Sequence, residues 1–186
     1  MGFFFWGNVH AVAQTVSAAT LCTGLPAQVN TRSRVLLLGS MPGAASLHAG
    51  QYYAHPRNRF WPLMADICGF DAGLPYPQRM RALNAAGVGV WDVIGRCERQ
   101  GSLDADIVRG TEVANALPEL IALLPELQLI GCNGAASMQA FQRWVLPVLV
   151  APPRLLALPS TSPANAAWSL QRLRQAWQPV ADALAT

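Results

Sequence analysis

The chain has 186 residues, 52% of them hydrophobic and 12% charged, with a formal net charge of +3; this supplies one sizeable core and too little charge for a scaffold that coats DNA. All 13 basic residues are arginine, which excludes a Walker A lysine, a pyridoxal-phosphate lysine and a lysine Schiff base together. Cys22, Cys68, Cys97 and Cys132 include no close pair and no neighbouring histidine cluster, so they read as buried reduced thiols, and neither metal nor cofactor is expected.

The N-terminus opens on an apolar run, Phe3 to Trp6, without a preceding positive segment, and Asn8, His10 and Gln14 break its continuation. Neither a signal peptide nor a membrane span is expected, and the protein is expected to be cytoplasmic. Residues 1–30 read as an extension and residues 31–186 as one α/β domain.

The first strand is predicted over Arg34 to Leu38, a short continuous apolar run of the kind buried on both faces. A long loop begins at Gly39, and helical spacing resumes from Arg59 to Cys68, closed by Gly69. A Pro-rich connection and a helix around Gln78 to Ala86 lead to a second strand, Val88 to Trp91, ending at Asp92. Residues 92–107 read as a loop, with a helix start at Ser102 or Asp104. Val113 to Leu124 is a helix candidate, Leu127 to Ile130 a third strand, Ala135 to Trp144 a helix and Leu155 to Leu158 a fourth strand. One long helix is predicted over Ala166 to Leu184. Four buried strands alternating with helices predict an α/β fold, a three-layer α/β/α sandwich around a four-stranded mainly parallel sheet.

In such sheets ligands bind beyond the carboxyl ends of the strands. Two of those ends are Gly, Pro and Ser-rich turns: Gly39-Ser40-Met41-Pro42-Gly43, and Leu158 to Asn165 with Ser160, Thr161 and Ser162. Either turn alone is an ordinary connection with capping serines. Together they can present N–H groups and hydroxyls to a phosphate or a base edge. Between them in sequence lies Tyr52 to Trp61, where ring faces, a histidine, an asparagine and two arginines crowd into ten residues. Trp61 reads as core, and Tyr53 as the ring on which a base would stack. A Ser40–His55–Asp92 hydrolytic triad is not supported, because no G-x-S-x-G elbow surrounds Ser40. His48 and His55 are expected to bond within the loop or to contact a phosphate.

The stretch Gly39 to Trp61, with GVGVWDV at 87–93, CERQGSLDADI at 97–107 and LPSTSPAN at 158–165, resembles the uracil-DNA glycosylase superfamily. It most resembles the hypoxanthine-DNA (deoxyinosine) glycosylase branch, over roughly Arg34 to Trp177. The resemblance implies a monofunctional DNA glycosylase that removes a deaminated base, hypoxanthine first, from double-stranded DNA in base excision repair. A uracil- or mismatch-directed glycosylase, or a non-catalytic nucleic-acid-binding member of the fold, remains the alternative. Met41 stands where mismatch-specific uracil glycosylases carry asparagine, and it cannot position water. The resemblance moves that role to Asn58, the catalytic candidate. It makes Gly39 to Gly43, Tyr53, His55 and Ser160 to Ser162 the substrate-binding set. Leu158 replaces a histidine of many uracil-specific relatives, which turns the expectation towards a deaminated purine. Arg57, Arg59, Arg96 and Arg99 are the expected phosphate contacts, and a monomer without an obligate partner is expected.

Overall fold

The computed structural model describes residues 19–185; the Phe3 to Trp6 run lies outside the described residues. Four strands, β2 (Val35–Gly39), β3 (Val88–Asp92), β6 (Leu129–Asn133) and β7 (Arg154–Leu158), form a parallel sheet in the order β3-β2-β6-β7. The apolar runs alternate between two cores. Val35 and Leu37 face a layer made by α2 (Phe60–Cys68), α3 (Tyr76–Ala85), α6 (Leu170–Ala176) and α7 (Gln178–Ala185), where Phe60, Trp61, Leu63, Leu173 and Trp177 are buried. Leu36 and Leu38 face the other layer, with Leu117 from α4 (Leu117–Ala122) and Phe141 from α5 (Ala135–Trp144). Burying both faces explains why the strands read as continuous apolar runs. Ser137 of α5 donates a hydrogen bond to the Leu38 carbonyl at 2.7 Å, fixing that helix against the end of β2.

Four sequence expectations change here. The 92–107 loop contains β4 (Ile94–Arg99), which pairs antiparallel with β1 (Thr20–Thr23) and with β5 (Val113–Ala114) in a second, three-stranded sheet. The described part of the proposed 1–30 extension is therefore built into the fold, and Gln28 also bridges Val90. The helix candidate at Val113 shortens to α4, because Val113 and Ala114 are spent on β5. The terminal helix is two helices meeting at Trp177, and α6 begins only at Leu170, capped by the Ser169 side chain, which accepts from the Arg172 N–H. One short helix, α1 (Ala44–Ala49), lies inside the Gly39 to Trp61 stretch.

Sheet order makes β2 the place where the winding reverses, with β3 on one side and β6 on the other. A crevice opens beyond the strand ends at such a point.

Candidate active site

The last residues of all four strands, Gly39, Asp92, Asn133 and Leu158, line one cleft of about 1290 Å³. That volume accommodates a nucleotide-sized group. Gly39, Ser40, Met41, Pro42, Gly43, Tyr53, His55, Asn58, Ser160, Thr161 and Ser162 all border it.

Asn58 sits at the end of a tight turn, its N–H bonded to the His55 carbonyl at 2.8 Å. Its Oδ1 accepts from the Phe60 N–H at 3.0 Å, so entry into α2 fixes the plane of the carboxamide. The second lone pair of Oδ1 and the Nδ2 hydrogens are the groups that can orient water. His55 uses Nδ1 to accept from the Arg57 N–H at 3.1 Å, inside the same turn. Ser40 donates to Asp104 Oδ1 at 2.6 Å, and no triad forms with His55.

Tyr53 is held at φ +55°, in the left-handed region that a tyrosine rarely adopts. Its ring stacks on Phe60 with centroids 3.7 Å apart and planes 16° apart. One face is thus taken, and only the other can receive a base. Its hydroxyl is buried with no hydrogen-bond partner, and burial, followed by the charge of Asp92, raises its pKa. Trp61 and Phe60 are both core residues, with Trp61 Nε1 donating to the Tyr52 carbonyl at 3.0 Å.

Two members of the expected binding set have different work. Met41 is buried among Leu36, Leu38 and Val93, so its side chain belongs to the core and the position is turned away from water activation. Thr161 is fully buried; its N–H donates to Asn133 Oδ1 at 2.9 Å and its hydroxyl accepts from Asn133 Nδ2 at 3.0 Å. That pair of hydrogen bonds to Asn133 leaves Thr161 a latch of the loop, while Ser160 and Ser162 keep partly exposed positions at the rim.

The arginines divide in the same way. Arg59 donates to the carbonyls of Thr161, Ser162, Asn165 and Trp168, so its guanidinium is spent inside the protein. Arg99 is 2% exposed, with Nε and Nη1 buried and unpartnered. Both are corrected from phosphate contacts to interior groups. Arg57, on the cleft wall, and Arg96, on β4, remain exposed.

Asp92 enters the sequence reading only as a strand end and as a member of the unsupported triad, and the structure gives it a more particular place. It is 3% exposed, its Oδ2 has no partner, and it borders the cleft. Burial pushes its carboxyl up to about 7, against a downward pull from the Tyr52 hydroxyl. Its signal in sequence was its place at the carboxyl end of a buried strand, shared with Gly39. Among the described residues no cluster of histidine, cysteine or carboxylate side chains is arranged to hold a metal ion.

A winding reversal in a parallel sheet, a nucleotide-sized cleft at the strand ends, a ring with one open face and an oriented carboxamide have the shape and chemistry to suit a planar polar group. The family model described as the uracil DNA glycosylase superfamily matches residues 26–182, and the chain belongs to that superfamily. It is similar to the hypoxanthine DNA glycosylase of Methanosarcina barkeri, with 36% identity over 115 residues, 61% of this chain and 72% of the relative. The protein of that name from Methanosarcina acetivorans is 35% identical over 112 residues, covering 60% and 70% of the two chains. A solution NMR structure from Methanosarcina acetivorans, provisionally named a uracil DNA glycosylase, superposes with a TM-score of 0.76 at 28% identity. It covers 90% of this chain and 100% of its own. The protein is therefore of the DNA glycosylase family, with an α/β fold to match. No helix of the described residues is long and apolar enough to cross a membrane.

Proposed function

We propose that the protein is a monofunctional glycosylase that flips a deaminated base, hypoxanthine foremost, out of double-stranded DNA and hydrolyses its N-glycosidic bond. One observation carries the reading: Asn58, Tyr53 and the Ser160 to Ser162 loop, distant in sequence, share one cleft at the strand ends. The similarity to two hypoxanthine DNA glycosylases supports the choice of base.

Flipping costs a few kcal/mol, least where the base is mispaired. The open face of Tyr53 stacks on the extruded base, and the Gly39 to Gly43 backbone lies along its edge. Asn58 holds the attacking water against the sugar carbon, in a plane set by its bond to the Phe60 N–H. Ser160 and Ser162 reach the flanking phosphates at the rim. A purine leaves readily once polarised, so positioning and fixed dipoles supply much of the rate.

Met41, buried in the core, favours a second reading, a member that binds DNA without cutting the base free. Single-turnover reactions on duplexes bearing hypoxanthine, uracil or xanthine, then treated with alkali, decide between them. Hypoxanthine release fastest of the three is expected; no release from any duplex would leave the binding module.

A further inference from the structure

We propose that Cys22 and Cys97 form a dithiol site, which a small organic disulfide of the oxidised-glutathione class converts to a cross-strand disulfide joining β1 to β4. The proposal goes beyond the glycosylase reading and stands independently of it.

The strand register carries it. β1 and β4 run antiparallel with Cys22 directly opposite Cys97, so the pleat turns both side chains to one face. That face meets the second core: Cys97 is fully buried in it, and half-buried Cys22 packs against it from the edge strand. Two residues along, the Gly24 N–H donates to the Gly95 carbonyl at 2.8 Å. Hydrogen-bonded pairs recur at every second position of an antiparallel ladder, so Cys22 and Cys97 occupy another. Their Cα atoms are then about 5.5 Å apart, inside the range of roughly 4.4–6.8 Å that a disulfide spans. Both thiols are free. Burial holds the Cys97 thiol above its ordinary range, with the Arg99 guanidinium pulling it down and Cys22 adding to the rise. Cys22 is the thiol that solvent reaches, and its weak bond to the Thr20 carbonyl at 3.5 Å is easily given up. Far apart in sequence, the two read there as separate reduced thiols.

The exchange balances. The Cys22 thiol gives up its proton and attacks one sulfur of the small disulfide, whose S–S bond breaks to release a thiolate that takes the proton. A mixed disulfide remains on Cys22. The Cys97 thiol then loses its proton and attacks the Cys22 sulfur, expelling the second small thiolate, which is protonated in turn. Two protein thiols are oxidised, and one small disulfide is reduced to two thiols. Opposite Cβ atoms stand about 4.5–5.5 Å apart, somewhat wider than a disulfide prefers. Closure therefore draws the strands together, and an excess of small thiol reopens the bond.

The closed ring contains β2, the whole Gly39 to Trp61 stretch and β3, so the bond restrains the unfolded chain over much of what builds the cleft. β4 also leads to Ser102, whose hydroxyl accepts from the Ala44 N–H at 3.0 Å, and to Asp104, which accepts from Ser40. Cross-linking fastens that wall of the cleft to the N-terminal strand.

The full chain, reduced, then incubated with excess oxidised glutathione, alkylated and digested without reductant, tests the proposal. One cross-linked peptide pair joining Cys22 to Cys97 is expected, with Cys68 and Cys132 alkylated. The oxidised protein should melt on the order of 5–10 °C above the reduced form, and dithiothreitol should remove the difference. Cys97→Ser should stop at a glutathione adduct on Cys22. Should that variant not fold, early digests of the wild-type protein should show the same adduct preceding the cross-link. Wild-type Cys22 that stays unmodified or stays as the adduct overturns the proposal. A bond to Cys68 or Cys132 instead, or an oxidised protein that melts no higher than the reduced one, overturns it as well.

Discussion

Asp92 occupies the space that a side chain on Gly39 would need, since a Cβ built on Gly39 falls 2.2 Å from Asp92 Oδ1. The pair is fixed by strand register, Gly39 opposite Asp92, so neither can slide away from the other. Gly39→Ala must therefore displace the carboxyl. A cost of about 1–3 kcal/mol in denaturant unfolding is expected, with base release slowed on the order of a hundredfold by the misplaced group. An alanine variant with wild-type single-turnover rates would show that the floor of the cleft gives way easily.

Stability should also record Asp92. Its carboxyl is raised to about 7 in the folded protein, against about 3.9 in an unfolded chain. Between those values the folded state holds a proton that the unfolded state has released, so stability falls as the pH rises through that window. Asp92→Asn removes the titration. It should gain stability over wild type at pH 8, with the advantage shrinking towards pH 4, when both are unfolded in denaturant at the two pH values.

Asn58→Ala is expected to leave DNA affinity nearly intact while lowering base release on the order of a hundredfold or more, because an amide that orients water acts in the transition state. The lost bond to the Phe60 N–H costs about 1 kcal/mol besides. Rates within a few fold of wild type would remove Asn58 from the chemistry.

Tyr53 separates into ring and hydroxyl. Tyr53→Ala should weaken engagement of the flipped base by about 1–3 kcal/mol, the magnitude of a base–aromatic stack. Tyr53→Phe keeps the ring and deletes a buried hydroxyl that has no partner, so thermal stability should be unchanged or slightly raised. A large loss of release in the phenylalanine variant would give that hydroxyl a part in base release.

The product should be an intact abasic site, because the chain contains no lysine to form a Schiff base with the sugar. Borohydride should trap no protein–DNA adduct, and strand breaks should appear only after heat or alkali. With Arg59 and Arg99 turned inward, Arg57 and Arg96 are left of the four expected phosphate contacts. The slope of log affinity against log salt should then be about −2, where four contacts would give about −3.6.

Much of this site was legible because the parallel sheet is buried on both faces: its strands announce themselves as apolar runs, and their ends point to the cleft. The smaller sheet was hidden. In β4 the buried positions Ile94, Cys97 and Arg99 are interleaved with exposed Arg96 and Glu98, and an arginine facing inward reads as solvated until its neighbours are known. Thr161 and Arg59 were misread for a related reason. A hydroxyl or a guanidinium looks ready for phosphate in sequence, while its carbonyl and amide partners lie far away along the chain. Met41 is excluded from water activation by the chemistry of a thioether, which the sequence shows, while its burial in the second core needed the fold.

The bonds of Arg59 join the helix that begins beside Asn58 to the loop that carries Ser160 and Ser162. A planar fork reaching several carbonyls resists shear as well as separation. The part of the cleft that would grip the backbone and the part that would aim the water are consequently one mechanical piece, so a distortion of the DNA felt at the serines reaches the turn bearing Asn58. Transplanting the serine loop from a relative without the carbonyl positions that Arg59 binds is expected to loosen the turn bearing Asn58 along with the loop, so exchanging both segments together should preserve more base release than exchanging the loop alone.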